Sequence, residues 1–403
     1  MMIIDRKETD ELKKIKKWIL VYGRRKTGKT FMVRNFIKYD NYFFVKRDRS
    51  ILTKNKSVSY DAFIELFGEL LKNNKRVVVD EFHRFGDEFL DYLHYVEKKG
   101  QVILISSTLH TSKKLLDTHS PILGIFAEFP LRILSLEDVL NSIGKKEKGK
   151  ELVELGILLR EPLIVGYYAK NKKPRKIFTE VIKTSKYLVP ALVGEIFTEE
   201  ERTLSAIYGG VLRAIAGGEE ISSGISSYLF SRKLIKKDDP SMIQQYLNNL
   251  TEFGLIRRIK IYNKKYYVYK HVSPLTYLYY YADEKYNLSE ITVNDAVVER
   301  IINELMPRIV EDNVRKFLSD KFGLTESIIN EKDYDVDACL LRFKKPEVVV
   351  EIKWKEKLQK SDIDRVEEIL TKTDAKRKML FVPDRKKVGI KTDLEVVDIR
   401  TFL

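Results

Sequence analysis

The stretch Trp18 to Thr30, WILVYGRRKTGKT, constrains this chain more than any other. An apolar run, Trp18 to Tyr22, ends at Gly23; four residues lead to Gly28-Lys29-Thr30, and a helix-like apolar stretch, FMVRNFI, follows. The pattern is G-x-x-x-x-G-K-[ST], set between a buried strand and a helix N-terminus. In that setting the backbone of Gly23, Arg24, Arg25, Lys26, Thr27 and Gly28, together with the helix dipole, converges on a phosphate chain. Lys29 adds a point charge at the β- and γ-phosphates, and Thr30 a hydroxyl ligand for Mg²⁺. The cofactors expected are ATP and Mg²⁺.

Beyond this loop, strand and helix patterns alternate. Residues 41–45 (NYFFV), 76–80 (RVVVD) and 101–105 (QVILI) read as strands, and residues 60–71 and 85–96 as amphipathic helices. Such alternation predicts an α/β fold with a parallel sheet covered on both faces. Ligands of these sheets bind beyond the carboxyl ends of the strands, where Gly23, Asp80 and Ser107 all fall. Asp80 is placed to hold Mg²⁺ through water. Glu81, the next residue, is the candidate base that orients or deprotonates an attacking water. Ser107 or Thr108 is the candidate for a hydrogen bond to the γ-phosphate.

At 403 residues the chain is long enough for two or three domains. Its formal net charge of +15 favours a polyanionic partner, nucleic acid before a membrane surface. The competing explanation is a lysine-rich surface of thermophile style, with charged residues at 33%. The single cysteine, Cys339, excludes an intramolecular disulfide and zinc sites built on cysteine pairs. The N-terminus is charged from Asp5 onward, and no apolar run approaches the ~20 residues that span a bilayer. The expectation is a cytoplasmic protein without a membrane partner.

In the middle of the chain, helical patterns at 198–217, 220–229 and 241–253 precede an alternating run at 256–270 that turns about Asn263-Lys264-Lys265. Three helices and a hairpin in that order predict a winged helix-turn-helix. Its third helix would present Gln244, Gln245 and Asn248 to DNA bases, with Arg257, Arg258, Lys264 and Lys265 of the hairpin on phosphates. The alternative is a winged helix that packs internally. The polar segment 171–176, with Pro174, reads as a hinge.

The order of parts resembles the ASCE, AAA+-like branch of P-loop ATPases, and more narrowly the archaeal ATPases related to the STAND signalling group. GRRKTGKT is similar to their arginine-rich Walker A, VVVDEF to their Walker B, and ISST, with a helix start at Lys113, to their sensor strand. Ile3-Ile4-Asp5-Arg6-Lys7-Glu8 resembles their N-terminal motif near the adenine, with Asp5 where the family usually has Gly, and this implies a nucleotide-side role for Arg6. Ile125 stands where relatives often carry arginine, which leaves Arg132 as the candidate arginine sensor.

After a long helical pattern from Asp295, the C-terminal part reads strand, strand, helix, strand (334–343, 347–354, 362–370, 377–382). Asp335-Val336-Asp337 and Glu351-Ile352-Lys353 within it resemble the PD-(D/E)XK nuclease core. The resemblance implies a metal shared by Asp337 and Glu351, an additional acidic position at Glu299, and Lys353 as the charge-stabilising catalytic residue.

The expected architecture is therefore a P-loop NTPase core at 1–135, a helical lid and linker at 136–189, a winged helix-turn-helix at 190–289 and a restriction-endonuclease-like α/β domain at 290–403. The expected function is an ATP-hydrolysing, Mg-dependent switch or motor on nucleic acid (DNA). The alternatives are a STAND-like signalling ATPase with a protein partner and an ATP-regulated nuclease. A nucleotide-dependent oligomer is compatible with all three.

Overall fold

Alternation along the central strands sorts the first core into two faces. In β1 (Trp18–Tyr22), Trp18 and Leu20 join one buried cluster while Ile19 and Val21 join another. The same split occurs in β5 (Arg76–Asp80), with Val77 and Val79 against Val78, and in β6 (Gln101–Ser106), with Val102 and Leu104 against Ile103 and Ile105. The first face is covered by α3 (Tyr60–Lys72) and α4 (Asp87–Tyr95) through Phe63, Phe67, Phe89 and Leu93; the second by α1 (Glu8–Lys14) and α2 (Lys29–Phe36) through Leu12, Met32 and Val33. Strands buried on both faces are apolar along their buried length, which is why WILV, VVV and VILI read as continuous runs.

This computed structural model describes residues 2–54, 56–107, 124–144, 149–168, 172–185, 188–194, 202–290 and 294–403. Thr108, Lys113, residues 121–123 and the start of the helix expected at 198 lie outside them. Two compact units result, one built on Asp5–Ile133 and the other on Leu134–Val193 and Glu200–Leu403. The three parts expected after residue 135 thus fall within a single unit.

In the N-terminal unit, β2 (Asn41–Val45), β5, β6, β1 and β7 (Phe126–Pro130) run parallel. A short antiparallel pair, β3 (Ile51–Thr53) and β4 (Lys56–Val58), extends the β2 edge. The order is β4-β3-β2-β5-β6-β1-β7, which places β6 between the strand that feeds the glycine loop and the strand that ends in Asp80. The sequence pattern gave no element for β3, β4 or β7; three-residue strands are too short to show a period.

The C-terminal unit begins with helices α5 (Leu136–Ile143), α6 (Gly149–Leu158), α7 (Pro174–Ser185) and α8 (Leu188–Gly194). Pro174, expected in a hinge, instead opens α7, where its missing N–H costs nothing. Next come α9 (Arg202–Gly217), α10 (Ser222–Ser231) and α11 (Gln244–Glu252), then the antiparallel pair β8 (Ile256–Ile261) and β9 (Tyr267–His271). Helix α12 (Pro274–Tyr286) leads to α13 (Asp295–Phe322), whose 28 residues span about 42 Å.

The strands β10 (Ser327–Asn330) and β11 (Asp335–Val336) do not join the last sheet. They extend the β8/β9 hairpin in the order β11-β10-β8-β9, so strand pairing crosses the boundary expected at 289/290. A second sheet holds β12 (Ala338–Arg342), β13 (Lys345–Ile352), β14 (Arg377–Phe381) and β15 (Glu395–Val397), with α14 (Lys360–Thr371) packed on it through Ile363, Val366 and Leu370. Among the described residues no helix is long and apolar enough to cross a membrane.

Candidate functional site

The loop between β1 and α2 is shaped by left-handed backbone. Lys26 has φ 64° and Gly28 φ 91°, and Gly23 has φ 144° with its backbone so close to Leu131 that a Cβ would stand 2.3 Å from the Leu131 carbonyl oxygen. Only glycine fits there. Arg6, buried at 8% exposure, donates from one guanidinium nitrogen to the Thr27 carbonyl (2.9 Å) and from the other to Glu8 (3.1 Å) and the Arg132 carbonyl (3.0 Å). These contacts brace the loop and tie it to the segment at Arg132. Arg132 contributes this carbonyl, and its side chain is exposed.

Strand parity then delivers the carboxylates. Asp80 shares the β5 face of Val78, the face covered by α2, and so meets the second residue of that helix: Thr30 Oγ1 donates to Asp80 Oδ2 at 2.7 Å. Tyr42 of β2 donates to the same oxygen at 2.6 Å. Burial pushes the Asp80 carboxyl above the ordinary carboxylate range, against the pull of these two hydroxyls. Asp80 Oδ1 is buried without a hydrogen-bond partner. A buried carboxylate oxygen left open beside a helix-terminal threonine fits a water-bound Mg²⁺, which would supply the missing interaction.

Glu81 sits in left-handed conformation (φ 58°), turned off the strand direction. Ser107 Oγ donates to both of its carboxylate oxygens at 2.9 and 3.1 Å, and Arg84 pairs with it at 3.1 Å. His83 lies 3.5 Å away, but burial draws its imidazole down to about 4, so it is neutral at pH 7 and adds no ion pair. Ser107, expected at the γ-phosphate, makes its hydrogen bonds to Glu81 here. Lys29 is 5% exposed and donates to the Gly23 and Arg24 carbonyls at 2.7 and 2.8 Å, folded back on its own loop. Burial, only partly offset by Glu81 and Asp80, draws its ammonium down to about 7. Thr27, which bonds the Arg24 carbonyl, is fully buried, and Arg24 is buried at 5% exposure. Tyr42 and the bracing role of Arg6 were missed from sequence.

In the C-terminal unit, the β12/β13 register (Ala338 opposite Val350) brings Asp337 and Glu351 across from each other. Asp337 Oδ2 accepts the Ile352 N–H at 2.8 Å, and Glu351 Oε1 accepts from Lys353 Nζ at 2.6 Å, while Glu351 Oε2 is buried without a partner. Burial first, then the charges of Glu351 and Glu311, push Asp337 well above the usual carboxylate range. Burial draws the Lys353 ammonium down, but Glu351 and Asp337 carry it above its usual value. Glu299 is not part of this group. It is exposed near the start of α13, twelve residues or about 18 Å along the helix from Glu311. Glu311, raised to about 7 by burial and Asp312, is the helix carboxylate that interacts with the pair, and sequence reading missed it. Among the described residues no three carboxylate, imidazole or thiolate groups form a metal-holding set.

Of the residues expected at DNA, Gln244, Gln245 and Asn248 are exposed on α11, and Arg258 and Lys265 are exposed on the hairpin. Arg257 and Lys264 are not free. Arg257 is paired with Glu326 and donates to the Asp312 carbonyl at 2.7 Å, and Lys264 pairs with Glu331 at 2.6 Å. Attachment of β10 to β8 brings both acids to the hairpin.

Among solved structures, the chain is similar to the ORC2 protein of Aeropyrum pernix in its ADPNP–ADP complexes (14% identity, 74% of this chain and 94% of that one, TM-score 0.37). It is also similar to the ORC1 protein of Aeropyrum pernix in complex with DNA (11%, 68% and 88%, TM-score 0.31). Cdc6p from Pyrobaculum aerophilum is a third such structure (12%, 73% and 91%, TM-score 0.25). These superpositions are too loose to define the fold. No curated protein matches the chain. Residues 15–140, which carry the glycine loop, Asp80 and Glu81, match the family model of an AAA domain.

Proposed function

We propose that this protein binds Mg-ATP at the Gly23–Thr30 loop, hydrolyses it, and uses that cycle as a switch or motor on nucleic acid. The observation that carries the reading is the Thr30–Asp80 hydrogen bond beside an open, buried Asp80 oxygen, with Lys29 and Glu81 next to it. Bound Mg²⁺ would neutralise charge on the phosphates. Thr30 and Asp80 would hold the ion, Lys29 would leave the loop carbonyls for the phosphates, and Glu81 would accept a proton from the attacking water. Phosphate contact restores the Lys29 ammonium, so above pH 7 binding takes up a proton. Calorimetry between pH 7.5 and 9 is expected to show Mg-ATP affinity falling by up to about tenfold per pH unit. Lys29→Ala should remove this slope and lower affinity by about 10- to 100-fold, the worth of charge-assisted hydrogen bonds. Wild-type affinity in Lys29→Ala would sink the proposal.

The nucleic-acid part of the reading is supported by the net charge of +15 and by the exposed polar face of α11 beside Arg258 and Lys265. The internal pairing of Arg257 and Lys264 favours the competing reading, a hairpin that packs within its own unit and a protein partner for the ATPase.

A second activity is favoured by one observation, the opposed Asp337 and Glu351 with Glu351 Oε2 unpartnered and Lys353 beside it. This pair could share a divalent ion, with Lys353 stabilising charge that develops on a phosphodiester. Metal-dependent cleavage of plasmid and single-stranded DNA should be lost in Glu351→Ala and Lys353→Ala, with ATP turnover unchanged. Cleavage that survives both substitutions assigns it elsewhere.

A further inference from the structure

One concavity of the N-terminal unit lies away from the glycine loop. It is a groove of about 1120 Å³ at the opposite ends of the same strands, bordered by Trp18, Arg76 and Gln101, the first residues of β1, β5 and β6. Its rim is cationic. Lys14, Lys16, Lys17 and Lys38 are exposed and have no ion-pair partner among the described residues. Lys13, Lys98 and Lys99 add charge that is only partly offset by exposed contacts, to Asp10 at 3.0 Å, the His94 carbonyl at 3.1 Å and Glu97 at 2.8 Å. Asp40, the one carboxylate among the described lining residues, is already held by Lys75 at 3.3 Å and by the Arg76 N–H at 2.8 Å.

The rim is also built rather than loose. The Gln101 amide donates to the Ile15 and Lys17 carbonyls at 2.9 and 3.1 Å, which ties the lysine-bearing segment 13–17 to the start of β6. Trp18 Nε1 donates to the Gly100 carbonyl at 2.8 Å, and Arg76 bonds both Gln101 and the Lys38 carbonyl. These bonds hold the backbone of the lysine-bearing segments around one depression, which lowers the ordering cost of binding.

We infer that this groove binds the phosphodiester backbone of a single nucleic-acid strand. A concave cationic track with a half-buried aromatic, Tyr39, in its wall is the arrangement that follows a strand and stacks a base. A bilayer surface is a poorer fit, since none of the described lining residues is an exposed large apolar side chain that could enter the acyl region. The five residues of β1 separate the groove from the glycine loop by about 16 Å, so nucleotide and strand do not compete. The inference is independent of α11 and the hairpin, which belong to the other unit.

The test is fluorescence anisotropy of the full chain with a labelled oligo-dT across a salt series. The variant Lys14→Gln/Lys16→Gln/Lys17→Gln/Lys38→Gln is compared with Arg258→Gln/Lys265→Gln. Each lost phosphate contact removes about 0.7 from the log–log salt slope for a single strand. The groove variant is expected to lose about 2 to 3 from the slope and to bind at least about tenfold more weakly near 0.1 M salt, with Mg-ATP affinity unchanged. An unchanged slope overturns the inference. So does tighter binding to phosphatidylserine vesicles, or to polyglutamate, than to oligo-dT. Ultraviolet crosslinking of a 4-thiothymidine oligonucleotide to the unaltered chain gives a second readout that needs no variant. Crosslinks within 13–18, 38–40 or 98–101 support the groove. Crosslinks confined to α11 and the hairpin overturn it and leave the α11 reading standing.

Discussion

Glu81→Gln is expected to bind Mg-ATP within about threefold of the wild type and to hydrolyse it about 10²- to 10⁴-fold more slowly, the range for loss of a positioned general base. The argument is geometric. Glu81 leaves the strand in left-handed conformation, and its carboxylate is fixed from two sides by Ser107 and Arg84. Glutamine has the same shape and can still accept from Ser107, so the site keeps its form and loses only its proton acceptor. Asp80 and Thr30, proposed to hold the ion, are untouched. Single-turnover hydrolysis and nucleotide titration on the same preparation separate the two effects. Equal turnover by the variant would falsify the base assignment and move the role to another group.

The contrast between Glu81 and Tyr42 shows what a sequence reveals of such a site. Glu81 was legible because its position follows from local rules: an apolar strand ends, and the next residue lies at the carboxyl edge of a parallel sheet. Tyr42 was not, since its bond to Asp80 depends on β2 being the neighbour of β5, a pairing set by the whole sheet order. Arg6 illustrates the same limit, for its partners Thr27 and Arg132 lie 21 and 126 residues away. On the hairpin, the run from Ile256 to Lys270 contains no acid and looks like a free cationic wing. The acids that neutralise Arg257 and Lys264 arrive from β10 and its flanks, more than sixty residues later. At the C-terminal pair, Glu351 and Lys353 were singled out by the resemblance of Glu-x-Lys to the PD-(D/E)XK core. The helix carboxylate was placed at Glu299 and not at Glu311, because the phase of a 28-residue helix against a sheet is set by packing, which single positions do not encode.

Arg315→Met is expected to destabilise the C-terminal unit by about 3–5 kcal/mol, the cost of removing one partner from a buried ion pair. Arg315 is 4% exposed and bonds in three directions: Nε to Glu326 at 2.9 Å, Nη1 to the Asp337 carbonyl at 2.8 Å, and Nη2 to the buried Asp312. Burial alone would raise both carboxyls. Lys270, Arg315 and Arg257 bring Asp312 below its usual range, and Arg257 and Arg315 do so for Glu326. Methionine fills much of the volume and supplies no charge, so the buried Asp312 and the partly buried Glu326 are left to share Arg257 and Lys270. A depressed carboxylate contributes its full stability above the unfolded pKa near 4 and loses it as pH falls through the folded value. The gap between wild type and variant in urea unfolding, followed by Trp354 fluorescence, should therefore be widest near neutral pH and narrow below about pH 4. Replacing the whole group with apolar residues of similar size should recover most of the loss, since matched apolar packing is often as stable as the ion network it replaces. A variant as stable as wild type at pH 7 would mean that water, rather than Arg315, satisfies Asp312 and Glu326. Because Arg315 also holds the Asp337 carbonyl, cleavage by the variant should fall before the unit unfolds if Asp337 and Glu351 form a nuclease site, and this ties the stability measurement to the functional one.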